Sequence, residues 1–304
     1  MSKYEDTDEN NNDIKLQIVD WREYHETNDD GDLQYTIRLF GRTSDNQTIH
    51  VRVDNFKPFF YVQIPKFWKQ HQIDAFVDTV KGSVSKSYQD SLINSEIVKR
   101  YSLSKFNNYT PLLFLRLVFD SYDGFKRYSW RLRKKVQNPV LSKVAKKYSL
   151  YEDNIGPMLR CMHIRNIEAC GWIKIDTYEE SYDNPTISDI NINTNWKNIY
   201  PIEDNNISPF VIASFDIECT SGDGSFPQAY RDCDKVIQIG TTFNRYGEDE
   251  CFYKHILTLG SCDDIEGVDV QACDNEVELL TEWANLIRHT NPDIVTGYNI
   301  FLRM

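Results

Sequence analysis

The stretch Phe210-Val211-Ile212-Ala213-Ser214-Phe215-Asp216-Ile217-Glu218-Cys219 is apolar for most of its length and ends in two carboxylates spaced two residues apart. Its β-branched and aromatic content predicts a buried strand over 209–217. Side chains two apart on a strand share a face, so Asp216 and Glu218 are expected at the carboxyl end of that strand, pointing the same way. Like charges held that close call for a cation. A hard divalent ion such as Mg²⁺ is the usual partner of such a pair, and phosphate chemistry its usual use. Taken alone, an Asp-x-Glu after a strand is more often only the polar start of a loop.

Downstream, Asp234-Lys235-Val236-Ile237-Gln238-Ile239-Gly240-Thr241-Thr242 predicts a second strand over 235–243, and 251–258 a third. Val277, Leu280, Trp283, Ala284 and Ile287 recur at spacings of three and four and predict a helix over 275–289, with Asp274 as its cap. Asn291-Pro292-Asp293-Ile294-Val295-Thr296-Gly297-Tyr298-Asn299-Ile300-Phe301 then supplies a strand over 293–297. The Gly222-x-Gly224 segment lacks the third glycine of a nucleotide loop and reads as a flexible connection.

Upstream, residues 1–12 are rich in Asp, Asn and Glu and are expected to be a disordered tail. Strands are predicted over 14–20, 33–43, 47–53 and 58–64, with a turn at Asn28-Asp29-Asp30-Gly31-Asp32. A helix over 67–80 follows Pro65, then a strand over 111–120 and a helix over 122–136. This order suggests a small α+β subdomain. Its Phe59, Phe60 and Tyr61 could stack on bases, but beside Pro58 and Pro65 the core reading is favoured. The polar stretch ending at Asp204-Asn205-Asn206 marks a boundary near 205, dividing the chain into 13–205 and 206–304.

At 304 residues, two domains are the better expectation, and 40% apolar with 13% aromatic residues places the chain in the globular class. There is no long apolar run and no signal-peptide core at the start, so a membrane is not expected and an intracellular location is. The seven cysteines form no C-x-x-C pair and their odd number argues against a disulfide framework; they are read as mostly core-filling thiols, with zinc not expected. A net charge of −12 argues against nucleic acid. Its distribution softens the objection: Lys126, Arg127, Arg131, Arg133, Lys134, Lys135, Lys143, Lys146 and Lys147 occur with no acidic residue between them, interleaved with Tyr128 and Trp130. A solvated helix face and a nucleic-acid contact through Arg131, Arg133, Lys134 and Lys135 are equal readings of this stripe, and an internal docking surface is a third.

Taken together, Phe215-Asp216-Ile217-Glu218, Val236-Ile237-Gln238-Ile239-Gly240 and Pro292-Asp293-Ile294-Val295-Thr296-Gly297-Tyr298-Asn299-Ile300 resemble the start of the 3′–5′ proofreading exonuclease domain of family B DNA polymerases. The delta-like enzymes of eukaryotes and large DNA viruses are the most similar branch, and the Asn, Asp, Lys and Ile richness suits an AT-rich viral genome. Ile37-Arg38-Leu39-Phe40-Gly41-Arg42-Thr43, Phe56 to Val62, Leu150 to Arg160 and Gly171-Trp172-Ile173 resemble that family's amino-terminal domain. The resemblance runs from about residue 15 to residue 301, in the family's order. It implies a mixed α+β and α/β architecture: a mixed-sheet amino-terminal domain followed by a ribonuclease-H-like exonuclease domain.

For a complete enzyme the resemblance implies hydrolysis of a 3′-terminal phosphodiester, with two Mg²⁺ ions about 3.5–4 Å apart. Asp216 would touch both ions and Glu218 the water-activating one; DNA, as a primer 3′ end and single-stranded template, would be the partner. Tyr298 and Asn299 would lie near the primer end, although a strand-terminal turn at Gly297 explains them equally well. In the family a further Asp follows a few residues after Tyr-Asn; without a gap, Met304 stands at that position, and a thioether suits Mg²⁺ poorly. The expectation is therefore a chain truncated within the second exonuclease motif by a frameshift, an intron or intein, or a split gene, in the last case with the remaining polymerase chain as partner. Little nuclease and no polymerase activity is expected of it alone. A non-catalytic nucleic-acid-binding or polymerase-docking module is the alternative, and a freestanding nuclease the third reading. A location in the host nucleus or a cytoplasmic viral factory follows if the source is viral.

Overall fold

The computed structural model describes residues 13–27, 33–103, 108–181, 185–298 and 300. Residues 1–12, expected from the sequence to be disordered, residues 28–32, expected to turn, and Asn299 and Met304 lie outside the described residues. The chain divides into two compact units. The first comprises residues up to 40, 49–185 and 190–203, and the second 41–48, 186–189 and those from 204 onward.

The first unit holds β1 (Ile14–Thr27), β2 (Leu33–Thr43) as far as Phe40, β3 (Thr48–Asp54) from Ile49, β4 (Phe59–Ile64), α1 (Gln70–Gly82), α2 (Lys86–Gln89), β5 (Leu92–Arg100), β6 (Leu112–Phe119) and α3 (Tyr122–Leu132). It continues through β7 (Leu150–Tyr151), α4 (Pro157–Arg165), β8 (Trp172–Ile175), β9 (Glu179–Glu180), β10 (Ile190–Asn195) and β11 (Ile199–Ile202). A seven-stranded sheet runs in the order β11-β8-β1-β2-β3-β10-β9, and a four-stranded one β5-β6-β4-β7. The first sheet buries Leu16, Ile18, Ile37, Leu39, Ile49 and Val51, alternating along their strands as a half-buried sheet requires. The second packs Phe60, Leu115, Leu117 and Phe119 against Phe76, Phe125 and Tyr128 of the helices. Phe59 and Phe60 are core residues, and Tyr61 packs against that core.

Several sequence expectations are corrected here. Helix α3 ends at Leu132, not 136, because Val136 leaves it to bridge with Lys146. The stretch before 205, read as plain polar chain, forms β10 paired in parallel with β3; its Asn191, Asn193 and Asn195 alternate with inward residues and mask the strand pattern. Of the seven cysteines only Cys161 and Cys273 are buried, since Cys170, Cys233 and Cys262 fall in exposed connections.

The second unit is a five-stranded sheet, ordered β15-β14-β13-β12-β16, from β12 (Val211–Cys219), β13 (Val236–Arg245), β14 (Tyr253–Leu259), β15 (Asp269–Cys273) and β16 (Ile294–Gly297). One helix, α5 (Glu276–Thr290), covers one face. The face of α5 differs from the one its apolar spacing suggests. Leu279, Trp283, Leu286 and Ile287 meet the sheet, whereas Val277 is 75% and Leu280 46% exposed. The cap also moves by one residue. Asn275 Oδ1 accepts the Glu278 amide, while the Glu278 carboxylate accepts the amide of Asp274.

After α5, Asn291 takes a left-handed conformation (φ 44°) and Pro292 ends the helix, which delivers Asp293 to the start of β16. Asp293 Oδ2 accepts Arg42 Nε at 2.6 Å and the Val211 amide at 2.7 Å, and the Asp293 amide donates to the Val211 carbonyl. Arg42 is held in turn by donating to both oxygens of Asn46. Both members of the pair are buried, at 8% and 5% side-chain exposure. Removing one partner of such a pair leaves an uncompensated buried charge. Asp293→Ala is expected to cost about 3–5 kcal/mol in urea unfolding, and a loss under 1 kcal/mol would deny the pair its structural role.

Candidate functional site

Strand β12 lies inside the sheet, antiparallel to β13 along its whole length and parallel to β16 over residues 212–215, so both edges are paired up to Phe215 and the β13 edge continues past Asp216 and Glu218. Ala213 and Phe215 point to the α5 side, where Phe215 packs on Trp283 with ring centroids 4.8 Å apart. Alternation then sends Ser214, Asp216 and Glu218 to the opposite face, and both carboxylates are exposed. Directly across β13 stand Gly240, opposite Asp216, and Gln238, opposite Glu218. A Cβ built on Gly240 would meet nothing within 4 Å, so the sheet beside Asp216 is open. The Asp216 Oδ1 accepts the Ile217 amide at 3.0 Å, which leaves its second oxygen free for another ligand.

Two hard oxygen donors, two residues apart on one strand and on one open face, fit a divalent cation such as Mg²⁺ that keeps several waters. Among the described residues no set of three His, Cys, Asp or Glu side chains is placed to hold a metal ion, so Asp216 and Glu218 stand as a pair. The neighbourhood is acidic. Burial pushes the Cys219 thiol up, and the carboxylates of Glu218, Glu276 and Asp234 push it further.

Next to the pair, the connection from β12 to β13 is not the loose linker that Gly222 and Gly224 suggest. The Asp234 carboxylate accepts the amides of Gly222 and Gln228 at 3.0 and 2.9 Å. Arg231 donates to Asp223 and Ser225. Gly222 is required by space, because a Cβ there would lie 2.7 Å from Cys233 Sγ. The signal for this loop was the Asp234 in front of the strand, which the sequence reading left without a role.

On the other side, Gly297 pairs with Phe215, and a Cβ on it would sit 2.6 Å from the Phe215 carbonyl oxygen. This glycine is therefore a close-approach residue rather than only a turn former. Tyr298 comes one residue beyond that pair and is 88% exposed. Asp216, Glu218 and Tyr298 thus belong to the second unit. Arg131, Arg133, Lys134 and Lys135 belong to the first, at and beyond the end of α3. Within that stripe Arg133 is engaged by Asp153 at 2.8 Å, and Lys134 stacks over the Trp130 ring at 3.5 Å. Lys135 is exposed, and Arg131 reaches back to the Lys135 carbonyl.

With this geometry in place, the comparisons decide the family. Residues 148–301 match the family described as DNA polymerase family B, exonuclease domain. The chain belongs to this family. The DNA polymerase of Acanthamoeba polyphaga mimivirus is 41% identical over 303 residues, covering 95% of this chain and 17% of that protein. The DNA polymerase delta catalytic subunit of Glycine max is 30% identical over 275 residues, covering 87% of this chain and 25% of its own length. Among solved structures, the family B DNA polymerase of the hyperthermophilic archaeon Pyrobaculum calidifontis superposes with a TM-score of 0.63 at 14% identity, over 94% of this chain and 30% of that one. The fold is thus the family B one, with a ribonuclease-H-like exonuclease sheet. The chain spans about a sixth to a quarter of the length of these two relatives.

Two outcomes follow from the site. Gly297→Ala forces the Phe215 carbonyl away and is expected to destabilise the chain by about 1–3 kcal/mol, read as a fall in Tm; an unchanged Tm would mean the close approach is not real. The second concerns acid. Amide donors from Gly222 and Gln228 hold the Asp234 carboxyl below its usual value of 3.8, so its contribution is complete above that value and disappears as pH falls through the lower folded-state value. Asp234→Asn should reproduce the acid state at neutral pH, with several-fold faster chymotrypsin cleavage at the exposed Phe226 and Tyr230; equal cleavage rates would remove Asp234 from the loop's support.

Proposed function

We propose that this chain supplies the amino-terminal domain, residues 13–205, and the first part of the 3′–5′ proofreading exonuclease domain, residues 206–304, of a DNA polymerase acting in DNA replication. The observation that carries the reading is the exposed pair Asp216 and Glu218 on one face of an inner strand, in a chain whose residues 148–301 match the exonuclease domain family. The family's metal dependence supports Mg²⁺ as the cofactor, and the two-ion arrangement is part of the proposal. The ions, when bound, supply an activated water and charge stabilisation at the scissile phosphodiester.

The protein's own contribution is positional. Asp216 and Glu218 offer their oxygens from a backbone paired to β13, just past the end of the β16 pairing, and the open sheet beside Gly240 leaves room for the sugar-phosphate of a 3′ end. Tyr298, exposed one residue past the Phe215–Gly297 pair, offers a ring for a terminal base, with Asn299 as its proposed neighbour. In the first unit, Arg131, Lys134 and Lys135 are proposed to follow single-stranded template, while Arg133 is already neutralised by Asp153. A location inside the cell, in the nucleus or a viral factory, is supported by the viral and delta-type relatives. No helix among the described residues is long and apolar enough to cross a membrane.

A second reading, a non-catalytic docking or nucleic-acid-binding module, is favoured by one observation: the described residues gather two carboxylates and not three. The discriminating experiment is degradation of 3′-labelled single-stranded DNA in Mg²⁺. It compares this chain, its Asp216→Ala variant, and a version extended with the segment that follows the matched region in the mimivirus DNA polymerase. Activity is expected in the extended version only, falling at least about a hundredfold on Asp216→Ala. An extended version without activity, or with activity insensitive to Asp216→Ala, would contradict the exonuclease reading and favour the module.

A further inference from the structure

The parallel strands β3 and β10 end side by side, with Asp54 paired to Asn195, and each runs directly into an Asn-aromatic-Lys tripeptide. These are Asn55-Phe56-Lys57 and Asn195-Trp196-Lys197. Asn55 is left-handed (φ 67°) and turns its segment out of the strand; the Asn195 side chain accepts the Lys197 amide and does the same for the other. Phe56, buried, braces Trp196 edge-on with ring centroids 5.2 Å apart. Between the two tripeptides lies a cavity of about 250 Å³ within the first unit, floored by Phe59 and Arg116. The carboxyl ends of parallel strands are a recurring place for ligands.

The charge of this cavity is unlike that of the protein. Lys57, Lys197 and Arg116 line it and no carboxylate does, in a chain of net charge −12. Among the described residues neither lysine makes an ion pair. Lys57 acts on the carboxyl of Asp120, which burial pushes up and the lysine charge pulls down. Arg116 stacks on Phe59 at 3.9 Å and gives Nη1 to Glu96 at 2.7 Å, which leaves its buried Nε–H without a partner among the described residues. A buried unpaired N–H is costly unless an acceptor arrives. The half-buried Trp196 ring offers an aromatic wall, and Lys57 and Lys197 with the Arg116 guanidinium offer an anion seat.

We propose that this cavity binds one nucleotide unit, its base against Trp196 and its phosphate held by Lys57 and Lys197 beside the Arg116 guanidinium. The site is separate from the carboxylate pair and does not depend on the exonuclease reading. Base and phosphate together could come from a free nucleotide or from one residue of a single strand, and the test separates them.

The indole signal of Trp196, assigned by Trp196→Phe, is followed by NMR in EDTA during titration with thymidine monophosphate, a short oligothymidylate, and inorganic phosphate. Saturable shifts are expected with the nucleotide or the oligomer, tighter than with phosphate. Equal affinity for both assigns the site to free nucleotides, and tighter oligomer binding assigns it to a strand. Lys57→Gln with Lys197→Gln should weaken binding by roughly tenfold and, for the oligomer, lower the slope of log K against log salt by about 0.7, the share of the one phosphate they hold. The Lys57→Arg, Lys197→Arg chain should bind normally, which separates lost charge from lost fold. An unmoved Trp196 signal, phosphate binding as tightly as the nucleotide, or glutamine variants binding like the parent would each overturn the proposal.

Discussion

A single carboxylate organises the second unit. Asp293 Oδ2 receives both the Arg42 guanidinium and the Val211 amide, and the Asp293 amide returns a hydrogen bond to the Val211 carbonyl. This cross-link sits where β12 and β16 both begin, so it sets their parallel register: Ile212 with Ile294, and on to Phe215 with Gly297. A one-residue slip of β12 against its neighbours would turn every one of its side chains to the opposite face. Asp216 and Glu218 would then face α5, where two charges would be buried in place of Phe215. The exposed acidic pair is therefore a consequence of a buried ion pair at the other end of the strand.

Much of this half was legible because the apolar run 210–217 is too β-branched for a helix and too short for a membrane span, and its last carboxylates fall on one pleat face. The rest was not. The apolar spacing of α5 gave Trp283 and Ile287 correctly but favoured Val277 and Leu280 over Leu279 and Leu286, since the helix is oriented by what the sheet presents. Strand β15 escaped because Asp269-Val270-Gln271-Ala272-Cys273 is short and weakly apolar, and its strand character comes from parallel pairing with β14. The burial of Asp293 depends on Arg42, 251 residues earlier, and no local pattern announces such a partner.

The two faces of the exonuclease sheet carry different burdens. One, with Ala213, Ile239, Phe243 and Leu257, supplies the apolar burial that stabilises the unit against α5. The other carries Asp216, Glu218 and Gly240, which contribute little to packing and leave the surface open. This separation lets the acidic face be electrostatically uncomfortable without loss of the fold, and a divalent cation is the natural relief. The ordered β12–β13 connection, pinned by Asp234, keeps one flank of that face in place, and Gly297 lets β16 approach closely on the other.

The most direct test of this account is paramagnetic: Mn²⁺ is added to the isotopically labelled chain at a few equivalents and amide broadening is mapped. The account predicts selective broadening at residues 216–218 and at Gly240 across the strand pair, abolished in Asp216→Ala with Glu218→Ala. Broadening spread over the other acidic segments, or unchanged in that double variant, would contradict the claim that β12 presents a metal-binding pair.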